Sequence, residues 1–272
     1  MLSADERTDA ADRLRDAESD RAPIPPLTAT WPEIDVVDAY EIQLFNIRRR
    51  GRPVLGHKVG LSSLVMQQMM GVDEPDYGHL LDDMALDERT TVPALKYCQP
   101  RVEVEVGFVL GADLPGAGCT EDDVLAATAA LAPAIELIDS RIADWKIGLA
   151  DTIADNASSA GFVLGPARVP PGALDVRKIE AALRRNGEVV AEGRSDAVLG
   201  NPVTAVAWLA RKVADFGVRL RAGNIVLPGS CTKAIDVRPG DKFQADFTGL
   251  GQVSLTFAST SSASTSSWGG AQ

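Results

Sequence analysis

The stretch that decides the fold of this chain is Arg101-Val-Glu103-Val-Glu105-Val-Gly-Phe-Val-Leu110. Acidic and apolar side chains alternate in it, which predicts a β-strand because successive residues of a strand point to opposite faces. Glu103 and Glu105 then share one face, about 6 to 7 Å apart, while the valines fill the other. Two like charges at that spacing must be solvated or bridged by a cation.

A third acid follows in the segment Ala134-Ile-Glu136-Leu-Ile-Asp139. Its aliphatic neighbours favour burial, where an unpaired carboxylate costs several kcal/mol and an oxygen-seeking metal relieves that cost. We therefore predict that Glu103, Glu105 and Glu136 form a carboxylate site for Mg²⁺ or Mn²⁺. The alternative for the first two acids is the solvent-facing half of an amphipathic strand, which needs no third acid among aliphatic residues.

Nitrogen and sulfur ligands for zinc are scarce in this chain. His57 and His79 are the only histidines, and Cys98, Cys119 and Cys231 are widely spaced. A zinc site is therefore disfavoured, and a hard cation fits better. The cysteine spacing suits a reducing compartment, so no disulfide is expected.

Length and composition favour one domain with an aliphatic core. The chain has 272 residues, of which 45% are hydrophobic and only 5% are aromatic. A formal net charge of −11 and a pI near 4.7 disfavour binding to nucleic acid or to an anionic membrane. No apolar stretch approaches the ~20 residues of a membrane helix, and the N-terminus lacks a hydrophobic signal region. We expect a cytoplasmic protein whose partner is a small molecule.

Lys58 is a candidate for proton transfer. It lies in a predicted strand, Val54 to Ser62, between Gly56 and Gly60, which would let a ligand or another backbone approach its ammonium group. Partial desolvation is expected to lower the pKa of Lys58, so that it exchanges protons near neutral pH. The alternative is a surface lysine that extends into solvent.

Predicted loops carry the other candidate residues. Asp76 lies in the turn-rich segment Gly71 to Leu81, either as a turn former or as a proton carrier. The polar segment Asp151 to Ser159 either lines a pocket or simply connects two elements. The turn with Ser230 and Thr232 either holds a carboxylate through its amides and hydroxyls or is a simple turn.

The remaining patterns predict helices around a β-rich C-terminal third. A capping box starts a helix at Ser3, and an Asn-Gly pair marks a hairpin. An ion pair is expected between Asp139 and Arg141. The predicted helices are Ser3 to about Ala17, Asp35 to Arg50 with a buried stripe of Val37, Tyr40, Leu44 and Ile47, Ser62 to Met70, Thr120 to about Leu131, and Pro202 to Gly217; the hairpin turn is Asn186-Gly187.

Several motifs, taken in order, resemble the 2-hydroxypentadienoate (2-keto-4-pentenoate) hydratases of the fumarylacetoacetate hydrolase superfamily. The resemblance covers about residues 35 to 257 and is greatest to actinobacterial hydratases that act on 2-hydroxyhexa-2,4-dienoate in steroid-ring and aromatic meta-cleavage pathways. The motifs are Gly56-His-Lys58-Val-Gly-Leu61, Asp73-Glu-Pro-Asp76-Tyr-Gly78, Pro100-Arg-Val-Glu103-Val-Glu105, and Pro228-Gly-Ser-Cys-Thr232 through Pro239-Gly-Asp241.

The resemblance implies an α+β fold, namely a mixed β roll of the fumarylacetoacetate hydrolase C-terminal type with an N-terminal helical region. The expected divisions are a helical region at 1–50, the catalytic β roll at 51–258 and a disordered tail at 259–272. The resemblance also implies a homo-oligomer, either a pentamer or a decamer of two rings. The downstream aldolase is a further expected partner, in a complex with this protein.

The resemblance implies a site as well. Glu103, Glu105 and Glu136 match the family's metal ligands, Lys58 its active-site lysine and Asp76 its acidic loop residue. Ser159, Ser230 and Thr232 are the candidates for contacts with substrate. A metal that chelates the C1 carboxylate and C2 oxygen of a dienol would stabilise an enolate. A proton then adds at C5, the 2-hydroxyl loses its proton, and water adds at C4.

Two rival functions stay open. A 4-oxalocrotonate decarboxylase shares the metal triad and the enolate, but it must seat a second carboxylate, and the sequence offers no clear basic cluster for one beyond the region of Lys58. A non-catalytic partner subunit of such an enzyme complex is the second rival. Intact metal and lysine positions argue against it.

Overall fold

The computed structural model describes residues 1–259. The predicted tail therefore lies outside the described residues, apart from its first residue. The helices are α1 Ala4–Asp20, α2 Leu27–Thr30, α3 Val36–Arg50, α4 Leu64–Met70, α5 Glu121–Ala127, α6 Leu149–Ala154 and α7 Pro202–Ala214. The strands are β1 Val54–Gly60, β2 Asp76–Leu81, β3 Thr91–Val92, β4 Arg101–Leu110, β5 Thr128–Ile138, β6 Ser159–Leu164, β7 Glu180–Arg185, β8 Glu188–Arg194, β9 Ile225–Leu227, β10 Ile235–Asp236, β11 Lys242–Phe247 and β12 Gly251–Phe257.

The strands form two mixed sheets. The larger has the order β2-β1-β9-β4-β5-β6, with β10 paired to β4, and the smaller has the order β3-β12-β11-β7-β8. Strands β11 and β12 lie against β5, so the two sheets share an aliphatic core. Helix α3 packs between α1 and α6 beside the larger sheet. The α+β roll with N-terminal helices that the resemblance implied is confirmed.

Local sequence signals set the helix ends. Ser3 forms a reciprocal capping box with Glu6 at the start of α1, as predicted, and the helix runs on to Asp20. Asp35 caps α3 and the left-handed Gly51 ends it. The predicted buried stripe of α3 was wrong at its first position: Val37 is 48% exposed, and the stripe shifts to Ala39, Tyr40, Ile42, Gln43 and Leu44.

Two other local predictions were wrong because pairing with distant strands decides the structure of these segments. The second half of the predicted loop at Gly71 to Leu81 is the fully buried strand β2, paired along its length with β1. The predicted helix after Thr120 ends at Ala127, where β5 begins. The segment after Ala127 instead gains strand partners on both sides, from β4 and β6, and it contains Pro133, which a helix interior would not tolerate.

The expected ion pair between Asp139 and Arg141 is also wrong. Arg141 instead forms a buried pair with Asp155, with 2.5 Å between Nε and Oδ1. The carboxylate of Asp139 accepts hydrogen bonds from the backbone amides of Cys98 and Gln99. Strand β5 ends before Asp139, so the alternation that would have placed it beside Arg141 does not continue.

Candidate metal centre

Strands β4 and β5 bring the three predicted acids together. Glu103 lies directly opposite Glu136 in the antiparallel register, and Glu105 follows two residues along on the same face. One oxygen from each carboxylate lies within 4.8 Å of one from each of the other two. Oxygens at this spacing can share a single cation.

The opposite face of β4 explains why these acids are held in place. Val102, Val104, Val106 and Phe108 are buried in the aliphatic core, as predicted. The register of β4 is fixed because a slip by one residue would move the valines out of the core and the glutamates into it. The fold thereby fully buries Glu105 and Glu136 and leaves Glu103 partly exposed.

Within residues 1–259, only one oxygen of each of the two buried carboxylates accepts a hydrogen bond. The amide of Gly229 donates to Oε2 of Glu105 at 2.7 Å, and the hydroxyl of Ser159 donates to Oε1 of Glu136 at 3.0 Å. Among the described residues, Oε1 of Glu105 and Oε2 of Glu136 are buried without a hydrogen-bond partner. Two unpartnered buried oxygens in an all-carboxylate set fit a hard divalent cation.

The electrostatics of the cluster lead to the same assignment. Burial raises the pKa of Glu103, and it raises that of Glu105 well above its usual value with help from the neighbouring acids. Burial likewise raises the pKa of Glu136 to about 7, although Lys58 opposes the shift. Three carboxylates in a low-dielectric site resist full ionisation until a cation offsets their charge.

Lys58 projects from β1 into this cluster and is 3% exposed. Its Nζ donates to the carbonyl oxygen of Ala157 at 2.9 Å and lies 3.6 Å from Oε2 of Glu136. Burial alone would lower the pKa of Lys58, but Glu136, Glu103, Asp76 and Glu105 together raise it. The expected lowering of this pKa was therefore wrong: the glycines that flank Lys58 do not place it in an apolar site, because four acids surround its ammonium group.

Asp76 starts β2 on the same face as Lys58. It lies opposite Gly60, and Lys58 lies opposite Gly78, so the two side chains are diagonal neighbours across the strand pair. A Cβ on Gly60 would lie 2.1 Å from Oδ1 of Asp76, so the glycine leaves the space that the carboxylate fills. Burial raises the pKa of Asp76, against the opposing effect of Lys58.

The three predicted substrate contacts lie at different distances from the cluster. The Ser159 hydroxyl is bonded to Glu136, as described above. The Ser230 hydroxyl exchanges hydrogen bonds with the backbone of Val104, which is the residue between Glu103 and Glu105. The Thr232 hydroxyl donates to the carbonyl of Lys233 and is the most peripheral of the three. Their contact with a substrate stays a prediction.

Two backbone groups in the site had no side-chain signature in the sequence. The carbonyl of Ala157 holds Lys58, and the amide of Gly229 holds Glu105. Of the two alternatives for the turn at Gly229, a carboxylate holder or a simple turn, its amide holds a carboxylate, but that carboxylate is Glu105 of the protein itself. The left-handed Gly229 has room for no side chain, since a Cβ there would lie 1.8 Å from the Ser62 hydroxyl.

A surface groove and a smaller cavity lie at different positions relative to the acid cluster. The larger, about 1050 Å³, is an open groove on the smaller sheet and contains none of the candidate residues. A cavity of about 180 Å³ lies between α1, α3 and the segment that follows α6, and Ser159 forms part of its wall. No helix within residues 1–259 combines the length and the apolar character needed to cross a bilayer.

Comparison with known proteins identifies relatives along almost the whole chain. The fumarylacetoacetate (FAA) hydrolase C-terminal family matches residues 73–258. The chain is 45% identical to a 2-keto-4-pentenoate hydratase of Paraburkholderia xenovorans, over 95% of this chain and 97% of the relative. It is 41% identical to a 2-hydroxyhexa-2,4-dienoate hydratase of Comamonas testosteroni, over 90% of this chain and 95% of the relative.

A solved structure agrees with this. The fold matches 4-oxalocrotonate decarboxylase from Pseudomonas putida G7, which was solved in complex with magnesium and adipate. The TM-score is 0.90 at 36% identity, over 94% of this chain and 99% of the other. The shared fold and the extent of these identities show that the chain belongs to the 2-keto-4-pentenoate hydratase family within the fumarylacetoacetate hydrolase superfamily.

Proposed function

We propose that this protein is a hydro-lyase that adds water to a 2-hydroxy-2,4-dienoate, either the pentadienoate or the hexadienoate, and yields a 4-hydroxy-2-oxo acid. The observation that carries the proposal is the set of three converging carboxylates with two unpartnered buried oxygens, directly beside a buried lysine. The proposal places the reaction in the meta-cleavage catabolism of aromatic or steroid rings, and it is supported by relatives that are named as hydratases of 2-keto-4-pentenoate and of 2-hydroxyhexa-2,4-dienoate.

Glu103, Glu105 and Glu136 would hold the cation, and their oxygen-only donor set suits Mg²⁺ or Mn²⁺. When bound, the ion would supply Lewis-acid stabilisation of negative charge on the C2 oxygen of the substrate. Ser159 orients Glu136 through its hydrogen bond, and the Gly229 amide orients Glu105 in the same way. Glu105 and Glu136 then each keep one oxygen without a hydrogen bond to face the ion.

Lys58 and Asp76 are the groups that move protons in this proposal. The Lys58 ammonium group carries three N–H bonds, of which one donates to the carbonyl of Ala157, and the group lies 3.6 Å from Oε2 of Glu136 as an ion pair. Its other N–H bonds are left to donate to substrate. The buried Asp76 carboxyl, with its raised pKa, is suited to accept the 2-hydroxyl proton or to deliver one at C5. We further propose that Ser159, Ser230 and Thr232 contact the substrate.

The decarboxylase function is less well supported than the hydratase function. The two hydratases share 45% and 41% of their residues with this chain, compared with 36% for the decarboxylase. The buried Arg141, which lines the same cavity as Ser159, is already paired with Asp155 and is not free to seat a second substrate carboxylate. A non-catalytic subunit would have no need to keep a buried lysine among four acids.

The purified protein with Mg²⁺ should be offered 2-hydroxypentadienoate, 2-hydroxyhexadienoate and 2-hydroxymuconate. Loss of diene absorbance without release of CO₂ is the expected result for the first two. Release of CO₂ from 2-hydroxymuconate would assign the decarboxylase instead, and no turnover of any substrate would favour the non-catalytic subunit. The same preparation, examined by light scattering alone and with the downstream aldolase, tests the proposed homo-oligomer and the proposed complex.

A further inference from the structure

A buried left-handed turn lies against the candidate site. Asn156, Ala157 and Ser158 follow one another with φ of +54°, +49° and +56°, although none of them is glycine. This conformation costs an L-residue roughly 1–2 kcal/mol. Such a turn persists only where its surroundings impose it, and strained backbone of this kind is concentrated at functional sites.

The two ends of the turn are fixed by backbone contacts. Before it, the carbonyl of Asp155 accepts from Nη2 of Arg141 at 2.6 Å. At its last residue, the carbonyl of Ser158 accepts from the amide of Asp139 at 2.8 Å. These contacts hold the path of the chain, but none of them ties the turn to the strands that carry Lys58 and Asp76.

Among the described residues of the turn, only Asn156 makes that connection through side-chain hydrogen bonds to the backbone of β2. Its Oδ1 accepts from the amide of His79 at 2.8 Å, and its Nδ2 donates to the carbonyl of His79 at 3.0 Å. The backbone approaches closely as well, since a Cβ on Gly78 would lie 2.3 Å from the carbonyl oxygen of Asn156. Asn156 thus places the turn directly beside the residue that lies opposite Lys58.

The next carbonyl in the turn, that of Ala157, accepts the hydrogen bond from Lys58. The hydrogen bond to Ala157 and the charge attraction of Glu136, 3.6 Å away, together set the position and orientation of the tetrahedral ammonium group. A shift of the turn would therefore move and rotate the N–H bonds that are left for substrate. A displacement of about 1 Å in such a group can cost about 100-fold in rate.

We propose that Asn156 is a positioning residue: its side chain clamps the left-handed turn to β2 and so aims the Lys58 ammonium group at the substrate. This inference rests on the proposed function, because it assigns Lys58 a part in turnover. Asn156 itself touches neither the acid cluster nor, in this proposal, the reacting atoms.

The matched test pair is Asn156→Gly and Asn186→Gly. Asn186 is also left-handed, with φ of +56°, and its side chain also makes two hydrogen bonds to a neighbouring segment, at Asp241 and Lys242. It lies in the hairpin between β7 and β8, away from the acids. Glycine keeps the left-handed backbone in both variants and removes only the side-chain bonds.

We expect similar decreases in Tm for the two variants. Only Asn156→Gly should lower kcat, by about 10- to 100-fold, with KM and the calorimetric Mg²⁺ affinity within about threefold of the wild type. If the glycine variant does not fold, Asn156→Asp keeps the side-chain shape, loses the bond from Nδ2, and should lower kcat in the same selective way. A folded Asn156 variant with wild-type kcat would overturn the proposal.

An NMR measurement separates this inference from the proposed function. In protein labelled with ¹³C-lysine, the Lys58 signal is assigned by its loss in Lys58→Met. It should shift in Asn156→Gly and stay in place in Asn186→Gly. If the wild type hydrates no dienoate while the signal shifts, the proposed function fails and the positioning stands. If the signal does not move in the Asn156 variant, the positioning is wrong whatever the substrate.

Discussion

The Lys58 ammonium group lies 3.6 Å from Oε2 of Glu136, an oxygen without a hydrogen-bond partner among the described residues, and both side chains are sealed from solvent. One positive charge thus partly compensates three clustered carboxylates. The residual negative charge attracts a divalent cation, and the same charge keeps the lysine protonated. Substitutions in this group should therefore separate cation binding from turnover.

Replacing Lys58 by Met keeps the length of the side chain and removes its charge. We expect kcat to fall by about 100-fold or more, as for loss of a general acid or base. Because the ammonium group competes with a cation for the same carboxylates, the calorimetric affinity for Mg²⁺ should stay the same or increase. Stopped-flow measurement of diene loss tests the first expectation. Turnover close to that of the wild type would remove Lys58 from the chemistry.

Divalent cations should stabilise the fold by relieving the repulsion among the three acids. At a Mg²⁺ concentration of 100 times Kd, the free energy of unfolding should rise by about 2.7 kcal/mol. Glu105→Gln should abolish most of this gain in Tm together with activity. The control is Glu180→Gln, which alters an exposed acid outside the cluster and should respond to Mg²⁺ as the wild type does. Equal gains in all three proteins would rule out the carboxylate site.

The sequence could predict those features whose cause is local. Alternation alone identified β4 and the face that carries Glu103 and Glu105. The Asn186-Gly187 pair identified a hairpin, because both residues adopt the positive φ values that such a two-residue turn needs. Ser3, Thr120 and Asn201 likewise identified the starts of α1, α5 and α7, because the side chain of each accepts a hydrogen bond from the first turn of its helix.

Features set by distant partners could not be predicted in this way. The alanine-rich β5 has good helix formers, and only its pairing with β4 and β6 makes it a strand. The environment of Lys58 was missed because the acids that raise its pKa come from β2, β4 and β5. The carbonyl of Ala157 gave no signal, since any residue type carries one.

Gly60 should be essential because of the space it leaves beside Asp76. In Gly60→Ala the new Cβ would displace the Asp76 carboxylate, which now lies 2.1 Å from that position. We expect kcat to fall by about 10-fold or more because the proton-transferring group is misplaced. Gly118→Ala is the control, since a Cβ there meets no atom within 4 Å. The two variants should differ in steady-state kinetics; equal activity would mean that the position of Asp76 does not limit the reaction.

The buried histidine pair should make the fold sensitive to acid. His57 and His79 lie opposite each other on β1 and β2, with ring centroids 4.7 Å apart. Burial lowers the pKa of His57 well below its usual value and that of His79 to about 4. As the pH falls, the histidines of the unfolded chain therefore bind protons before those of the folded protein do. The contribution of the neutral histidines to the free energy of unfolding is complete above about pH 6.5 and is lost as the pH falls toward 4.

For His79 the loss should be about 3 kcal/mol over that range. Urea unfolding in saturating Mg²⁺ between pH 7 and 4 measures it. The double variant His57→Leu/His79→Leu has no histidine left, so its pH dependence reports the carboxyl groups alone. At each pH, the free energy of unfolding of the double variant is subtracted from that of the wild type. This difference should decrease as the pH falls. A difference that is flat, or that has the opposite sign, would show that the two imidazoles are not held neutral in the folded protein.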